Sequence, residues 1–319
     1  MKKIIVGSRG SLLALKQSEI VIQEIKKFYP EKEFIIKKIK TKGDKIIDSP
    51  LSKIVTEPGG TKGLFTKEIE DALLRKEIDF AVHSMKDLPT DLPEGLCIGA
   101  IPKREKIYDV LLTKDGKKFA QLPSGGKIGT SSLRRKAQLL SLIPDLEIVD
   151  LRGNLNTRLR KLREQDLAGI IVAYAGLERM GYQERNDAEI LNFLLPAVGQ
   201  GAIGVEIRDK QRAKSKEQRD DEIREMVSKL NDEETATCIQ AERAFLKRLG
   251  GGCQVPIGVK STIVDKETLI LEGIVLSPDG KRYFRDKVSG PLQNALDLGV
   301  NLAEKLITAG AKELLDLCN

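Results

Sequence analysis

The chain has 319 residues, with 54 Lys and Arg against 47 Asp and Glu, for a formal net charge of +7. A single His excludes a His-rich metal centre and any mechanism that needs two imidazoles. The four cysteines (97, 238, 253 and 318) form no C-x-x-C pair, which argues against a zinc ribbon or a disulfide framework, and 4% aromatics argue against a base-stacking module.

No apolar run approaches the ~18 residues of a membrane span. The opening Met-Lys-Lys-Ile-Ile-Val is too short for a signal-peptide core. Unpaired cysteines fit a reducing cytoplasm, so the sequence predicts a cytoplasmic protein with no membrane segment. The positive surplus implies acidic partners and leaves nucleic acid, anionic lipid and small carboxylates open.

In chain order, 3–6 reads as a short buried strand. Ser11 opens a helix with Val21, Ile25 and Phe28 on one face. Strands follow at 33–40, 79–83 and 96–101, with a helix at 65–76. Beyond residue 105 the rhythm continues: strands at 109–113, 127–129, 146–151, 168–174 and 203–208, helices at 132–143 and 154–164. This alternation predicts βαβ units and a mainly parallel sheet. The charge-dense stretch 209–224 reads as a solvated linker. Asp232 then caps a helix to Leu249, three strand-like segments follow (257–264, 268–276, 281–288), and 292–309 is helical. The last part predicts a separate α+β domain.

One pattern recurs three times: a strand ends, small or hydroxyl residues follow, an Arg sits nearby and a helix begins. The instances are Gly7-Ser8-Arg9-Gly10-Ser11, Gly129-Thr130-Ser131-Ser132-Leu133-Arg134-Arg135, and Arg152-Gly153-Asn154-Leu155-Asn156-Thr157-Arg158. A helix N-terminus presents unpaired N–H groups and partial positive charge, which suits an anion. Arg adds a planar fork matched to carboxylate or phosphate. Each Ser or Asn taken singly is also an ordinary helix cap. Arg160 and Arg163 read as outward helix charges, and the spacing is not that of a nucleotide P-loop.

Two further segments carry candidate chemistry. His83-Ser84-Met85-Lys86-Asp87 follows a strand. A hydrolase triad is disfavoured because there is no nucleophile elbow. A strand-end His with Asp87 starting a turn, or Asp87 as an acid/base or cation stabiliser, both remain open. Gly250-Gly251-Gly252-Cys253-Gln254 reads as a glycine-capped helix end with a small buried Cys, or as a thiol left open for covalent attachment.

Taken together and in order, these segments, with Leu195-Pro196-Ala197-Val198-Gly199-Gln200-Gly201, resemble the porphobilinogen deaminase family over essentially the whole chain. The resemblance implies two bilobal, type II periplasmic-binding-like α/β domains with mixed, mainly parallel sheets, plus a smaller C-terminal α+β domain. The expected boundaries are 1–102 with 200–220, 103–199, and 221–319, the chain crossing twice between the first two.

It implies a transferase of tetrapyrrole (porphyrin and haem) biosynthesis. Such an enzyme joins four porphobilinogen molecules head to tail, releases ammonia from each, and frees linear hydroxymethylbilane by hydrolysis. A dipyrromethane cofactor is carried covalently on Cys253. Asp87 is implied as the catalytic carboxylate, stabilising positive charge on the azafulvene left when ammonia departs. Ser84, Lys86, Thr130, Ser132, Arg134, Arg135 and Arg152 are implied as cofactor contacts, and Arg9, Ser11, Arg158, Arg179 and Gln200 as substrate contacts. No metal or nucleic acid is implied, and the chain is expected to be a monomer. It departs from the family pattern in the longer Glu57–Phe65 segment, which bears on Lys62, and in Tyr174, where a small residue is common. The rival readings are a non-catalytic bilobal anion binder and a nucleic-acid binder.

Overall fold

A computed structural model of the chain describes residues 3–45, 63–182, 187–209, 218–250 and 255–317. In chain order the elements are β1 (Ile4–Arg9), α1 (Leu12–Lys26), β2 (Phe34–Ile39), α2 (Lys67–Leu74), β3 (Phe80–Ser84), β4 (Leu96–Ala100), β5 (Asp109–Thr113), β6 (Lys127–Gly129), α3 (Leu133–Leu142), β7 (Glu147–Val149), α4 (Leu155–Glu164), β8 (Gly169–Ala173), α5 (Tyr174–Arg179), β9 (Ala188–Leu191) and β10 (Ile203–Arg208). They continue with α6 (Gln218–Ser228), α7 (Glu233–Arg248), β11 (Ile257–Val264), β12 (Thr268–Leu276), β13 (Tyr283–Pro291), α8 (Ala295–Leu306) and α9 (Lys312–Asp316). The described strands lie within about three residues of the expected segments; α5, β9, α9 and a four-residue helix, Lys42–Lys45, between β2 and α2 are additions to them.

Two compact units form, Met1–Glu105 with Ala202–Ala236, and Lys106–Gly201 with Thr237–Asn319. The first is built on a five-stranded sheet of order β2-β1-β3-β10-β4. Strands β1, β2 and β3 are parallel, and β10 runs antiparallel to both β3 and β4. One face packs Val21 and Ile25 of α1 and Ile223, Met226 and Val227 of α6 on Val6, Phe80, Val82, Val205 and Ile207. The other takes Ile69 and Leu73 of α2 against Ile78 and Ala81.

Here the structure corrects the linker expected over 209–224 from Gln218 onward, where α6 begins; 210–217 lie outside the described residues. Its apolar positions are few, but Ile223, Met226 and Val227 fall at i, i+3 and i+4. That narrow stripe is enough to dock a helix on a sheet. Asp220, in the same helix, is buried against Arg208 at 2.8 Å. The segment 221–236, expected to begin a third domain, therefore packs in the first unit.

The second unit carries a sheet of order β7-β6-β8-β5-β9, with β5 as the antiparallel member. It also holds an antiparallel three-stranded sheet, β11-β12-β13. The latter has its own core, in which Phe245 of α7 and Leu302 of α8 pack on Val259, Leu271 and Val275. Asp232 caps α7 as expected, its carboxylate accepting from the Thr235 N–H at 2.9 Å. The chain is thus α/β with mixed sheets and a smaller α+β portion at its C-terminal end.

Candidate active site

In the first unit, β1 and β3 are parallel neighbours, with Val6 beside Phe80 and Gly7 beside Ala81. Their carboxyl ends therefore bring Arg9, Ser11, Ser84, Lys86 and Asp87 to one edge of the sheet. Ser11 caps α1, accepting from the Ala14 N–H at 3.3 Å. Ser84 accepts from Gln17 Nε2 at 2.9 Å, which ties α1 to the end of β3. A single 3₁₀ turn, Met85–Asp87, follows. Met85 is buried and its N–H donates to Ala202 at 3.0 Å, so the turn is pinned while Lys86 and Asp87 stay half-buried.

His83 faces away from this group. Its Nε2 lies 3.0 Å from Glu206 Oε2, and both side chains are almost wholly buried. That contact, together with the Gln17 partner of Ser84, leaves no hydrolase triad among the three residues. Glu70 lies close enough to feel both: burial first, then the Glu206 carboxylate, push its pKa up from the ordinary value.

Arg9 is held at its terminal nitrogen by Asp44, Nη2 to Oδ1 at 2.5 Å, and lies over the Phe65 ring at 4.3 Å from the centroid. Its Nε is buried without a hydrogen-bond partner.

In the second unit, β6, β7 and β8 end together. Thr130 follows β6, its N–H donating to Val149 at 2.9 Å and its Oγ1 accepting from the Ser132 N–H at 3.2 Å. Ser132 caps α3 and Asn154 caps α4, as the sequence pattern predicts. Arg152 is mostly buried, with Nε 3.1 Å from Asp150. Arg158 Nε donates to the Gly153 carbonyl at 2.9 Å, and buried Arg179 donates to the Gly201 carbonyl at 2.7 Å. Arg160 and Arg163 point outward, as expected.

Arg134 and Arg135 stand differently from the expectation of ligand-facing forks. Both are about 5% exposed and converge on Asp109, which is fully buried. Arg134 Nη1 reaches Asp109 Oδ2 at 2.7 Å, and Arg135 Nε and Nη2 reach Oδ1 at 3.0 and 2.7 Å. Gln200 adds a bond to the same oxygen at 2.9 Å and another to the Ile107 carbonyl at 2.7 Å. Burial pushes the Asp109 carboxyl up, but two adjacent guanidiniums outweigh it and hold it far below the usual range. The sequence reading missed Asp109. The available signal was an acid heading a strand, 109–113, that is apolar on both faces.

Tyr174 opens α5, and Lys106 lies over its ring at 4.7 Å from the centroid. Cys253 and Lys62 lie outside the described residues.

The donors fit a carboxylate-rich ligand. Besides Arg9 Nε, Ser131 Oγ in the turn before α3 is buried with no hydrogen-bond partner. Both are buried donors at strand ends that the protein leaves without a partner.

Two mixed sheets, one in each unit, with arginine, hydroxyl groups and helix N-termini at the ends of their parallel strands, define the chain as an α/β protein. A sequence model described as the porphobilinogen deaminase dipyromethane cofactor binding domain matches residues 4–216, and one for the C-terminal domain matches 236–308. The chain is 51% identical to porphobilinogen deaminase of Carboxydothermus hydrogenoformans over 317 residues, covering 99% of this chain and 97% of that one. It is 46% identical to the Staphylococcus carnosus enzyme over 321 residues, at 100% and 99% coverage. Among solved structures, a periplasmic binding protein of Salmonella typhimurium with high arginine specificity aligns at 15% identity over 75% of this chain and 98% of that one, with a TM-score of 0.40.

The chain belongs to the porphobilinogen deaminase family, transferases of tetrapyrrole biosynthesis that carry a dipyrromethane cofactor.

Proposed function

We propose that this protein joins four porphobilinogen molecules head to tail and releases linear hydroxymethylbilane by hydrolysis, with Asp87 as its catalytic carboxylate. In each addition the aminomethyl C–N bond of the incoming molecule breaks and nitrogen leaves as ammonia. The freed carbon bonds to the terminal pyrrole α-carbon of the chain, and that carbon loses its proton. Atoms balance with no metal or nucleotide. The dipyrromethane, borne on Cys253, supplies the free pyrrole end for the first addition.

The observation that carries this reading is the half-buried Asp87 beside Lys86, on a turn pinned by Met85 at the edge where Arg9, Ser11 and Ser84 gather. A fixed carboxylate there stabilises positive charge on the pyrrole nitrogen as ammonia leaves, without reorganising. It also takes the proton released when the new bond forms. Lys86, Thr130, Ser132 and Arg152 hold acidic groups of the cofactor, with Ser84 at its edge. Arg9, Ser11, Arg158 and Arg179 hold acetate and propionate groups of the growing chain. Arg134, Arg135 and Gln200 act by fixing, around Asp109, the helix and turn that present Thr130 and Ser132.

No helix among the described residues is long and apolar enough to cross a membrane. Alongside the reading we place a cytoplasmic monomer that does not bind nucleic acid.

Asp87→Asn tests the assignment. The variant should fold and keep its cofactor, and bilane production should fall about 10²- to 10³-fold. Near-normal production removes Asp87 from the role. Intact mass tests the attachment: an excess equal to two linked pyrroles, absent in Cys253→Ala, is expected. An unmodified mass in turning-over protein defeats it. Steep salt-dependent binding to DNA or RNA would favour the nucleic-acid reading.

A further inference from the structure

Arg9 already has a carboxylate. The bond is made by Nη2, the donor end that a ligand carboxylate would use, and the two side chains are a quarter exposed. Three features of the surrounding turn bear on what this pair does.

First, Asp44 does not depend on Arg9. Its second oxygen, Oδ2, accepts from the Thr41 N–H at 3.2 Å and from Thr41 Oγ1 at 2.9 Å. If Arg9 turns to another acid, Asp44 keeps partners and an open edge to water. Second, Arg9 does not depend on Asp44. The Phe65 ring centroid lies 4.3 Å from the guanidinium carbon, within reach of cation–π attraction. Third, the turn is fixed against that ring: the Gly43 N–H donates to Leu64 at 2.9 Å, the Lys42 N–H to Glu68 at 3.0 Å, and a Cβ on Gly43 would fall 2.1 Å from Phe65. Both partners are therefore held in register whether or not they are bonded to each other.

The charges agree. Burial pushes the Asp44 carboxyl up, and the Arg9 guanidinium and Thr41 outweigh it, so it is ionised at neutral pH. Arg9 keeps a further donor, Nε, that nothing in the protein answers.

We propose that Asp44 is a resident carboxylate of the Arg9 site, exchanged for a carboxylate of the pyrrole chain when substrate arrives. This rests on the reading of Arg9 as a substrate contact. Asp44 thereby sets affinity. A competitor inside the protein lowers the fraction of Arg9 ready to bind, and apparent affinity falls by that fraction. It also screens the acid: a weakly held anion does not displace Asp44, whereas a ligand anchored elsewhere does.

Steady-state kinetics of the holoenzyme with porphobilinogen test the exchange. Asp44→Asn removes the competing charge and keeps the shape. KM should fall about three- to tenfold. Asp44→Ser, which also keeps a polar partner for Thr41, should move KM in the same direction. In an Arg9→Gln background the Asp44→Asn effect should vanish.

A KM that rises or stays level in both Asp44 variants, with Arg9→Gln showing a raised KM, leaves Arg9 in place and overturns the exchange. Asp44 would then be a brace. A KM unmoved by Arg9→Gln removes Arg9 from substrate binding, and the exchange with it. An Asp44→Asn effect that persists in Arg9→Gln shows that it does not act through Arg9 and overturns the proposal as well.

Discussion

The two five-stranded sheets share one spatial pattern, with a single antiparallel strand in the fourth place: β10, the last of its sheet in sequence, in the first unit and β5, the first of its sheet, in the second. Each of those strands carries a carboxylate buried to zero exposure, Glu206 and Asp109. The surroundings differ. Asp109 receives two guanidiniums and the Gln200 amide, so both of its oxygens are answered. Glu206 receives only the His83 imidazole on one oxygen, its Oε1 has no partner, and a second acid, Glu70, stands near. One sheet surrounds its acid with two guanidiniums, the other with one imidazole and a second carboxyl group. The guanidiniums hold the Asp109 carboxyl far below its ordinary range, whereas burial and the Glu206 carboxylate push the Glu70 pKa up.

The same contrast separates the arginines. Arg134 and Arg135 are both bonded to the buried Asp109. Arg9 is partnered at one nitrogen and its side chain stays a quarter exposed, against about 5% for the other two; a buried Nε without a partner is common to Arg9 and Arg134. Residue type and spacing did not distinguish them. Each satisfies the same local pattern of strand end, hydroxyl, Arg and helix start. The partner that decides the matter lies 26 residues away for Arg135 and 35 for Arg9.

Asp109→Asn is the strongest way to break the comparison. It leaves two buried guanidiniums without a counter-charge, for a loss of about 3–5 kcal/mol. Chemical denaturation at pH 7 should show it. The depressed carboxyl fixes the pH window. For a group whose folded pKa lies below its unfolded one, stability is present above the unfolded value of 3.8 and is lost as pH falls through the folded value. The difference between wild type and Asp109→Asn should therefore persist through mildly acid conditions. A gap that closes by pH 5 would show that Asp109 is not the charged centre of the network.

The local features were legible in the sequence because their causes are local. Ser11, Ser132, Asn154 and Asp232 were readable as helix starts, since a cap bonds a backbone N–H three residues on. Short buried strands such as 109–113 were readable from apolar runs. What stayed hidden depends on distant contacts. The docking of α6 needs the face of β10 and β4, and its charge density masked a three-residue stripe. Asp44 was unreadable for the same reason: nothing in Thr41-Lys42-Gly43-Asp44 announces a guanidinium or a Phe ring.

A smaller and sharper test concerns Glu70, on the Glu206 side of the comparison. Burial, and then the neighbouring Glu206, raise its pKa above the ordinary 4.5, while the Thr66 hydroxyl and, less strongly, His83 act the other way. An acid with a raised folded pKa contributes stability that is present below the unfolded pKa and lost as pH rises through the folded value. At pH 7.5 the group is therefore a cost. Glu70→Gln keeps the shape, removes the charge and should raise the melting temperature at pH 7.5 by a few degrees. The gain should shrink as pH falls through the raised folded pKa and the wild-type acid takes up its proton. If Glu70→Gln is instead destabilising at pH 7.5 and the loss fades in acid, Glu70 is an ionised partner of His83. The cluster would then be a paired one, and the contrast between the sheets would lie in the number of bonds rather than in the sign of the buried charge.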